Sequence, residues 1–399
     1  AVPGVRRRRA RPLARGAARR QLVTAATEAE RRRLQETFAA LCRIASPSRS
    51  ERRCADLVIE RLQAAGLAVS EDAAGDALGG DCGNLLARIP GSSEETILLC
   101  AHMDTVPVAA AIEPVLRDGF WENANDAILG ADNKSAVAVL LVLAERLAAA
   151  PAGVGIELLL TVGEERALSG AREFEAGVLR SRVGFAFDSA APVGGVVVSS
   201  PTHYRVAAEL HGVAAHAGIR PENGRSAIVA AARAIAGMRL GRIDSDSTAN
   251  IGVIDGGSAA NVVPDRCRVL GETRSLDPER AERLASEIVE CLTDAANDPE
   301  CECDLDVTME REFEGYRVRA SNPELDLAFA ALRECGFEPQ PIASGGGSDA
   351  NALRSRGIAV LNLANGTERN HEPSERVAAA ALESVLDVAF ALIARAGLA

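Results

Sequence analysis

Acidic residues and histidines in this chain gather in five short segments, each at the end of an apolar stretch. The chain has only five histidines, so a histidine-dependent site has few candidates. The residues in these segments that could do chemistry are His102, Asp104, Asp132, Glu164, Glu165, Asp188 and His371. Nitrogen and oxygen donors suit zinc, and a shared carboxylate can hold two ions about 3.5–4 Å apart. A carboxylate that is not a ligand can serve as general base. The set therefore predicts a two-metal hydrolytic site.

Each segment, taken singly, also has a plainer interpretation. His102 could be a structural histidine, and Asp132 is a good helix N-cap. The adjacent glutamates could form a solvated loop pair, Asp188 could form a turn, and His371 could simply precede a helix. The metal interpretation depends on the whole set, because all of these residues follow strands of one predicted sheet.

The elements that must position these residues alternate between strands and helices. Helical spacing predicts helices over residues 25–44 and 51–65, and a further helix covers 134–149. Continuous apolar runs predict strands near 96–101, 155–162, 183–187 and 358–363, as expected of strands buried on both faces. A final helix is predicted over 374–396. This alternation predicts an α/β fold with a mostly parallel sheet between helices.

The pattern changes near residue 195, where a second domain is predicted to be inserted. Alternating apolar and polar residues over 205–212 predict an antiparallel strand. The order that follows is helix, two strands, helix and strand, which is the ferredoxin-like β-α-β-β-α-β arrangement. We therefore predict a first domain over 23–194 and 316–399, and an inserted α+β domain over 195–315.

Composition and charge narrow the classes of partner. The net charge is −12, yet residues 1–20 contain eight arginines and no acidic residue, so the remainder is strongly acidic. Such a body repels nucleic acid, and no apolar run reaches the roughly 18 residues that span a membrane. The nine widely spaced cysteines favour reduced thiols in the cytoplasm. The basic segment, residues 1–22, is predicted to be a disordered tail, with a nucleic-acid arm or an export signal as alternatives.

The ordered motifs resemble those of the M20 metallopeptidases, and most closely the tripeptide-aminopeptidase-like (PepT-like) branch. The motifs are HMDTVP at 102–107, GADNKS at 130–135, the glutamate pair, the aspartate ending a strand and the late histidine. SGGGSDAN at 344–351 also resembles that branch. The resemblance extends over about residues 34–397. It departs mildly at Ser135 and Ser189, where alanine and glycine are usual.

The resemblance implies a role for each site residue. His102 would bind one zinc ion and His371 the other, and Asp132 would bridge them. Glu165 and Asp188 would complete the two ligand sets, with cobalt or manganese as alternative metals. Glu164 would be the general base and Asp104 would orient His102, and the peptide bond after Asp132 is often cis in the family.

The inserted domain would be a lid and a surface for homodimerisation. His216 would stabilise the developing oxyanion, often from the partner subunit. Asn261 and Arg274 would hold the carboxylate end of a short peptide. Plainer interpretations are a surface histidine, a turn asparagine and a solvated strand arginine, and His203 and His211 are taken as structural.

The sequence thus predicts a cytoplasmic two-zinc exopeptidase acting on short peptides. Alternatives are another M20 amidohydrolase, such as an N-acyl-amino-acid deacylase or a carboxypeptidase, and a non-catalytic binding protein that keeps the fold. The presence of Glu164 and of a complete ligand set argues against the non-catalytic binding protein.

Overall fold

A computed structural model of the protein describes residues 25–398, so the predicted basic tail lies outside the described residues. The first helix begins at a capping box in which Thr27 and Glu30 exchange hydrogen bonds. Arg146, from a later helix, pairs with Glu30. Partial burial opposes a charge on Glu30, but the hydrogen bonds from Arg146 and Thr27 lower its pKa to about 2.

The first part of the chain builds the large sheet and the helices on it. Its elements are α1 (Glu28–Cys42), α2 (Arg52–Ala64), β1 (Val69–Glu71), α3 (Ala74–Leu78), β2 (Leu85–Ile89), β3 (Thr96–His102), β4 (Pro114–Arg117), β5 (Phe120–Asn123), α4 (Ala131–Ala149), β6 (Gly155–Thr161), α5 (Ser169–Glu173), β7 (Val183–Ser189) and β8 (Gly195–Ser200).

The chain then forms a second domain before it returns to the large sheet. The second domain contains β9 (Thr202–His211), β10 (Ala215–His216), α6 (Ala227–Gly237), β11 (Gly241–Asp244), β12 (Ser247–Gly256), β13 (Val262–Val263), β14 (Arg266–Ser275), α7 (Pro278–Asn297) and β15 (Asp304–Phe313). The return contains β16 (Tyr316–Arg317), α8 (Pro323–Glu334), β17 (Gln340–Ala343), α9 (Asp349–Ser355), β18 (Ala359–Ala364), β19 (Thr367–Glu368), β20 (Arg376–Ala378) and α10 (Ala379–Ala396).

The large sheet is parallel in its centre and antiparallel at its flanks. Its strand order is β1-β2-β6-β3-β7-β18-β8-β16, and β17 pairs with β8. β6, β3, β7 and β18 run parallel to their neighbours within this group, whereas β2 and β8 pair antiparallel to it. The predicted mixed α/β sheet is therefore confirmed, with parallel pairing among the four central strands and again between β17 and β8.

The second domain has its own sheet, in the order β11-β12-β14-β9-β15. The last four of these strands, with α6 and α7, make the predicted ferredoxin-like arrangement. Its sheet begins at Thr202 rather than near residue 195, because Gly195–Ser200 pairs within the large sheet. The apolar run of β8 is explained by that placement, since a strand inside the large sheet is covered on both faces.

Helix α4 is buried in the main core. Residues 133–144 of this helix are all buried, and residues 136–144 are apolar on every side. It packs against α1, α10 and β3 in the main core. A separate core fills the second domain.

The last helix starts at Ala379, later than predicted, because Arg376–Ala378 forms a strand in a small sheet with β5. No helix among residues 25–398 is long and apolar enough to cross a membrane.

Candidate metal centre

Six of the seven predicted metal-centre residues follow the four central strands at one edge of the large sheet, and the seventh, Asp132, is in the first turn of α4. His102 is the last residue of β3, and Asp188 is next to the end of β7. Glu164 and Glu165 follow β6, and His371 follows β18. Because these four strands are parallel neighbours, their carboxyl ends meet at the same edge.

The side chains form two groups that share Asp132. In the first, His102 Nε2 lies 3.3 Å from Asp132 Oδ1 and 3.3 Å from Asp188 Oδ1. In the second, His371 Nε2 lies 3.4 Å from Asp132 Oδ2 and 2.9 Å from Glu165 Oε1. Each group has donor atoms within 4.8 Å of one another, which is close enough for one ion. Asp132 thus presents one oxygen to each group.

Burial makes this concentration of charge unfavourable without a cation. Burial, opposed by His102, raises the pKa of Asp188 to about 8. Burial and the carboxylate of Asp188 raise the pKa of Glu164 well above its ordinary range. Burial disfavours a charge on His102, but the surrounding carboxylates, Asp188 foremost, raise its pKa well above the usual value.

The donor set fits a pair of divalent ions. Each group offers one imidazole nitrogen and two carboxylate oxygens, and a shared aspartate joins the groups. Three protein ligands with an open position is the pattern of catalytic rather than structural zinc. Two cations would also relieve the repulsion among the buried carboxylates. The residues present therefore fit a paired metal site.

Asp104 holds the loop that carries Glu164 against His102. Its carboxylate is fully buried and accepts hydrogen bonds from the backbone N–H groups of Glu164 (2.9 Å) and Glu165 (3.2 Å). Ser48 Oγ donates a third, at 2.6 Å. The carbonyl oxygen of Asp104 lies 3.0 Å from His102 Nδ1, and its carboxylate lies 3.4 Å away. One residue therefore fixes both a histidine ring and the glutamate loop.

Other residues that the sequence analysis did not single out position Asp132. Glu375 is buried, and its two oxygens accept the backbone N–H groups of Gly130 (2.7 Å) and Asp132 (2.9 Å). Asn370 Nδ2 donates to Asp132 Oδ2 at 2.8 Å. The peptide bond between Asp132 and Asn133 is cis, as the family resemblance implies. The nearness of Asn370 and Glu375 to His371 in sequence was the only signal that could have found them.

Asp188 is held by two asparagines in the same way. Asn133 Nδ2 donates to Asp188 Oδ1 at 3.0 Å, and Asn362 Oδ1 accepts the Asp188 N–H at 2.9 Å. Asn362 comes from β18, the neighbour of β7, and its role follows from that pairing. Hydrogen-bonded supports of this kind fix the direction in which a ligand presents its oxygen.

A cavity of about 400 Å³ lies over the two groups and is closed on one side by the second domain. Its wall includes five residues of that domain: His203, Glu272, Arg274, Glu312 and Phe313. His203 Nε2 lies 3.1 Å from Glu272 and its Nδ1 lies 3.2 Å from Glu312. His203, predicted to be structural, is therefore a cavity residue, and its place on β9 beside the domain junction is what brings it there.

Arg274 is at the cavity, but it is paired with Glu272. Its Nε and one terminal nitrogen lie 3.0 and 3.1 Å from the two Glu272 oxygens. His203 and Arg274 together lower the pKa of Glu272 to about 2. A peptide carboxylate would compete with Glu272 for this guanidinium.

His216 and Asn261 are not among the residues that line this cavity in the described chain. They are on a small two-stranded ribbon, where β10 pairs with β13, and both are exposed. The ribbon is joined by the Ala217 N–H, which donates to the Asn261 carbonyl at 2.9 Å. The structure thus brings seven predicted residues to the metal centre, Arg274 to the cavity wall, and these two to a separate surface.

A paired histidine–carboxylate centre in a cavity between two domains is suited to metal-assisted hydrolysis. The family model for a peptidase dimerisation domain of M20 type matches residues 203–299, and that for peptidase family M28 matches residues 84–225. The uncharacterised protein YqjE of Bacillus subtilis is 34% identical over 367 residues, which cover 92% of this chain and 98% of that protein. The acetylornithine deacetylase of Myxococcus xanthus is 30% identical over 306 residues, covering 73% of this chain and 78% of that protein.

Solved structures give the same result. Aminopeptidase PepT of Bacillus cereus is 34% identical with a TM-score of 0.79, over 92% of this chain and 98% of that one. A tripeptidase of Staphylococcus aureus is 33% identical with a TM-score of 0.84, over 92% of this chain and 99% of that one. The chain belongs to the M20 peptidase family.

Proposed function

We propose that the protein is a metal-dependent exopeptidase that removes the amino-terminal residue of short peptides, with tripeptides as the first substrates to test. The observation that carries the proposal is the pair of ligand groups sharing Asp132, with Glu164 beside them in one cavity. The likeness to PepT and to a tripeptidase over nearly the whole chain supports the substrate class. Zinc is the metal we propose for both positions, with cobalt or manganese as alternatives.

The residues of the chain divide the work. Two bound divalent ions would polarise the scissile carbonyl and lower the pKa of water. Glu164 takes a proton from the attacking water while the water oxygen bonds to the carbonyl carbon. The same carboxyl then gives this proton to the amine nitrogen as the carbon–nitrogen bond breaks. Asp104 keeps Glu164 in reach by holding the backbone of its loop.

The second domain supplies the substrate contacts in this proposal. Arg274 binds the peptide carboxylate in exchange for Glu272. We propose that His216 and Asn261 reach the cavity of the partner subunit in a homodimer built through the second domain, which the match to a dimerisation domain supports. Their exposure on a ribbon away from their own cavity fits that arrangement. All nine cysteines are free thiols, which supports a cytoplasmic location.

Two measurements on one purified sample test the proposal. Metal analysis should give about two divalent ions per chain, and the free tripeptide should be cleaved with release of its first residue. Glu164→Gln should keep the metals and lose at least about a thousandfold in kcat, because a carboxamide cannot take the proton. Turnover near that of the wild type in this variant would refute the assignment of Glu164.

The second candidate is hydrolysis of an N-acyl-amino acid, favoured by the likeness to acetylornithine deacetylase. A matched pair of substrates separates the two: a free tripeptide and an N-acetylated amino acid at equal concentration. The aminopeptidase proposal requires a free amino terminus, so a higher kcat/KM for the acetylated substrate would replace it with the deacylase. A chain that binds metal and cleaves neither substrate would exclude both candidates and leave the carboxypeptidase and the binding protein.

A further inference from the structure

A second group of ligand-type side chains lies beside the loop that carries Glu164. Glu51, Asp81 and Cys82 each offer one ligand atom, and these atoms are within 4.8 Å of one another. They come from the start of α2 and from the segment before β2, and none of them belongs to the paired centre. A cavity of about 160 Å³ adjoins Glu51 and Cys82, and Gly163 forms part of its wall.

Glu51 is a buried carboxylate with one oxygen unused. The residue is 1% exposed, and its Oε1 accepts the backbone N–H of Gly163 at 3.1 Å. The backbone N–H groups of Arg49 and Glu51 also face this carboxylate, but no donor is in hydrogen-bonding geometry with the buried Oε2. Burial, with a contribution from Asp104, raises the pKa of Glu51 to about 7. A buried oxygen without a partner is rare in a folded protein, and it points to a ligand at this position.

Cys82 and Asp81 offer the other two ligand atoms of this group. Cys82 is a free thiol, 4% exposed, and burial raises its pKa. Asp81 is exposed, so an ion could enter from solvent on its side, and its Oδ1 is fixed by the backbone N–H of Arg52 at 2.9 Å. A thiolate with carboxylates selects a thiophilic divalent ion, and binding would release the thiol proton to water.

Two arginines line the same cavity and must be weighed against a cation. Arg49 and Arg166 are both exposed, so water screens their charge and their guanidinium groups can extend into solvent. Arg52, on α2, is already paired with Glu71 and with Asp56, each at 2.9 Å. The local balance therefore permits a divalent ion.

We propose that Glu51, Asp81 and Cys82 bind a third divalent cation of the thiophilic class, such as Zn²⁺ or Cd²⁺. The ion would neutralise Glu51 and fix it against the N–H of Gly163, the residue before Glu164. It is a positioning site, since it contacts neither the cavity of the paired centre nor its ligands. Its effect would be to hold the Glu164 loop at the N–H of Gly163, the residue before the N–H groups that Asp104 accepts.

Cobalt titration of the metal-free, full-length protein tests this proposal without any activity measurement. A sulfur-to-cobalt charge-transfer band in the near ultraviolet appears only when cobalt binds a thiolate. In residues 25–398, the group with Cys82 is the one cation-type cluster that includes a cysteine, so the band reports this site alone. The paired centre, which has no sulfur ligand, would give only the weaker visible bands.

The expected result is a thiolate band in the wild type that Cys82→Ser abolishes. Asp81→Asn should weaken cobalt binding at this site at least tenfold. Cys335→Ser removes a cysteine that directly follows α8 and belongs to no ligand group of the described residues, so it should leave the band unchanged. Failure of a band to appear at saturating cobalt, or a full band in Cys82→Ser, overturns the proposal. If Cys82→Ser does not fold, Asp81→Asn decides, because Asp81 is exposed: unchanged affinity overturns the site. None of these outcomes depends on whether the paired centre cleaves peptides.

Discussion

The substitution Asp104→Asn isolates the step by which one buried carboxylate positions the catalytic loop. Asp104 Oδ1 accepts the N–H of Glu164 and faces His102, and Oδ2 accepts the N–H of Glu165 and the Ser48 hydroxyl. An asparagine has one acceptor oxygen and one NH₂ group. Whichever way the amide is turned, one of the two backbone N–H groups meets another donor and loses its partner.

The size of the effect follows from this count. One hydrogen bond to a charged group is lost at a buried position, which is worth about 1.5–3 kcal/mol. We therefore expect the free energy of unfolding of the metal-free protein to fall by about that amount. If the loop that carries Glu164 loses about 2 kcal/mol of positioning in the transition state, kcat falls roughly thirtyfold. Substrate KM should change little, because Asp104 does not line the cavity.

The measurement is urea unfolding of the metal-free variant together with steady-state cleavage of a free tripeptide by the metal-loaded enzyme. Glu157→Gln is the matched control. Glu157 is equally buried and accepts the N–H groups of Arg180 (3.0 Å) and Ser181 (2.9 Å), but it lies near the beginning of β6, at the opposite edge of the sheet. The control should lose stability and keep kcat.

The reasoning would be refuted in either of two ways. If Asp104→Asn keeps kcat within a factor of two while its stability falls, the hydrogen bonds to the loop do not position Glu164. If Glu157→Gln loses as much kcat as Asp104→Asn, the loss of activity follows global destabilisation rather than the local contacts.

Three further predictions follow from single contacts. In Gly170→Ala the new Cβ would lie 2.0 Å from the Val162 carbonyl oxygen, so denaturant unfolding should show a loss of at least about 1–3 kcal/mol, whereas Gly237→Ala in α6, with open space around it, should be neutral or stabilising. The pKa of Glu30 is about 2 in the folded protein and 4.5 in the unfolded chain, so its contribution to stability is complete above pH 4.5 and is lost as the pH falls towards 2. The difference in unfolding free energy between the wild type and Glu30→Gln should therefore shrink over that range. A constant difference would contradict the pairing. Arg274→Ala should raise KM for a tripeptide with a free carboxylate and leave KM for the amidated peptide unchanged, and an equal rise for both would exclude a carboxylate contact.

Local patterns were enough to predict most of the fold. β3 and β6 are mostly apolar because both strands are covered on both faces, and this is visible in the sequence. Helical spacing likewise placed α1. The short strands β4, β5, β19 and β20 were missed because their pairing joins residues far apart in the chain, and each is too short to carry a pattern of its own.

The placement of β8 shows the same limit in another way. Its residues begin where the sequence pattern changes, and the sequence analysis therefore included them in the inserted domain. In the structure it pairs antiparallel with β18, which comes more than a hundred residues later. Which sheet accepts a strand is a competition between long-range partners, and no local signal records it.

The sequence by itself determined which residues could do chemistry. Residue types and their spacing were enough to predict the candidate ligands before any geometry was known. These candidates are His102, Asp132, Glu165, Asp188 and His371. Tertiary structure decided how they meet. It is the order of the four central strands that brings their ends to one edge, and it is the turn held by Glu375 that leaves each Asp132 oxygen facing a different histidine. It also decided that His203, with Glu272 and Glu312, lies in the cavity wall, and that a buried carboxylate at Glu51 has an oxygen with no partner. The physical reason is that each side-chain type is given directly by the sequence. The distance between two side chains instead depends on strand order and domain packing, which bring together segments hundreds of residues apart.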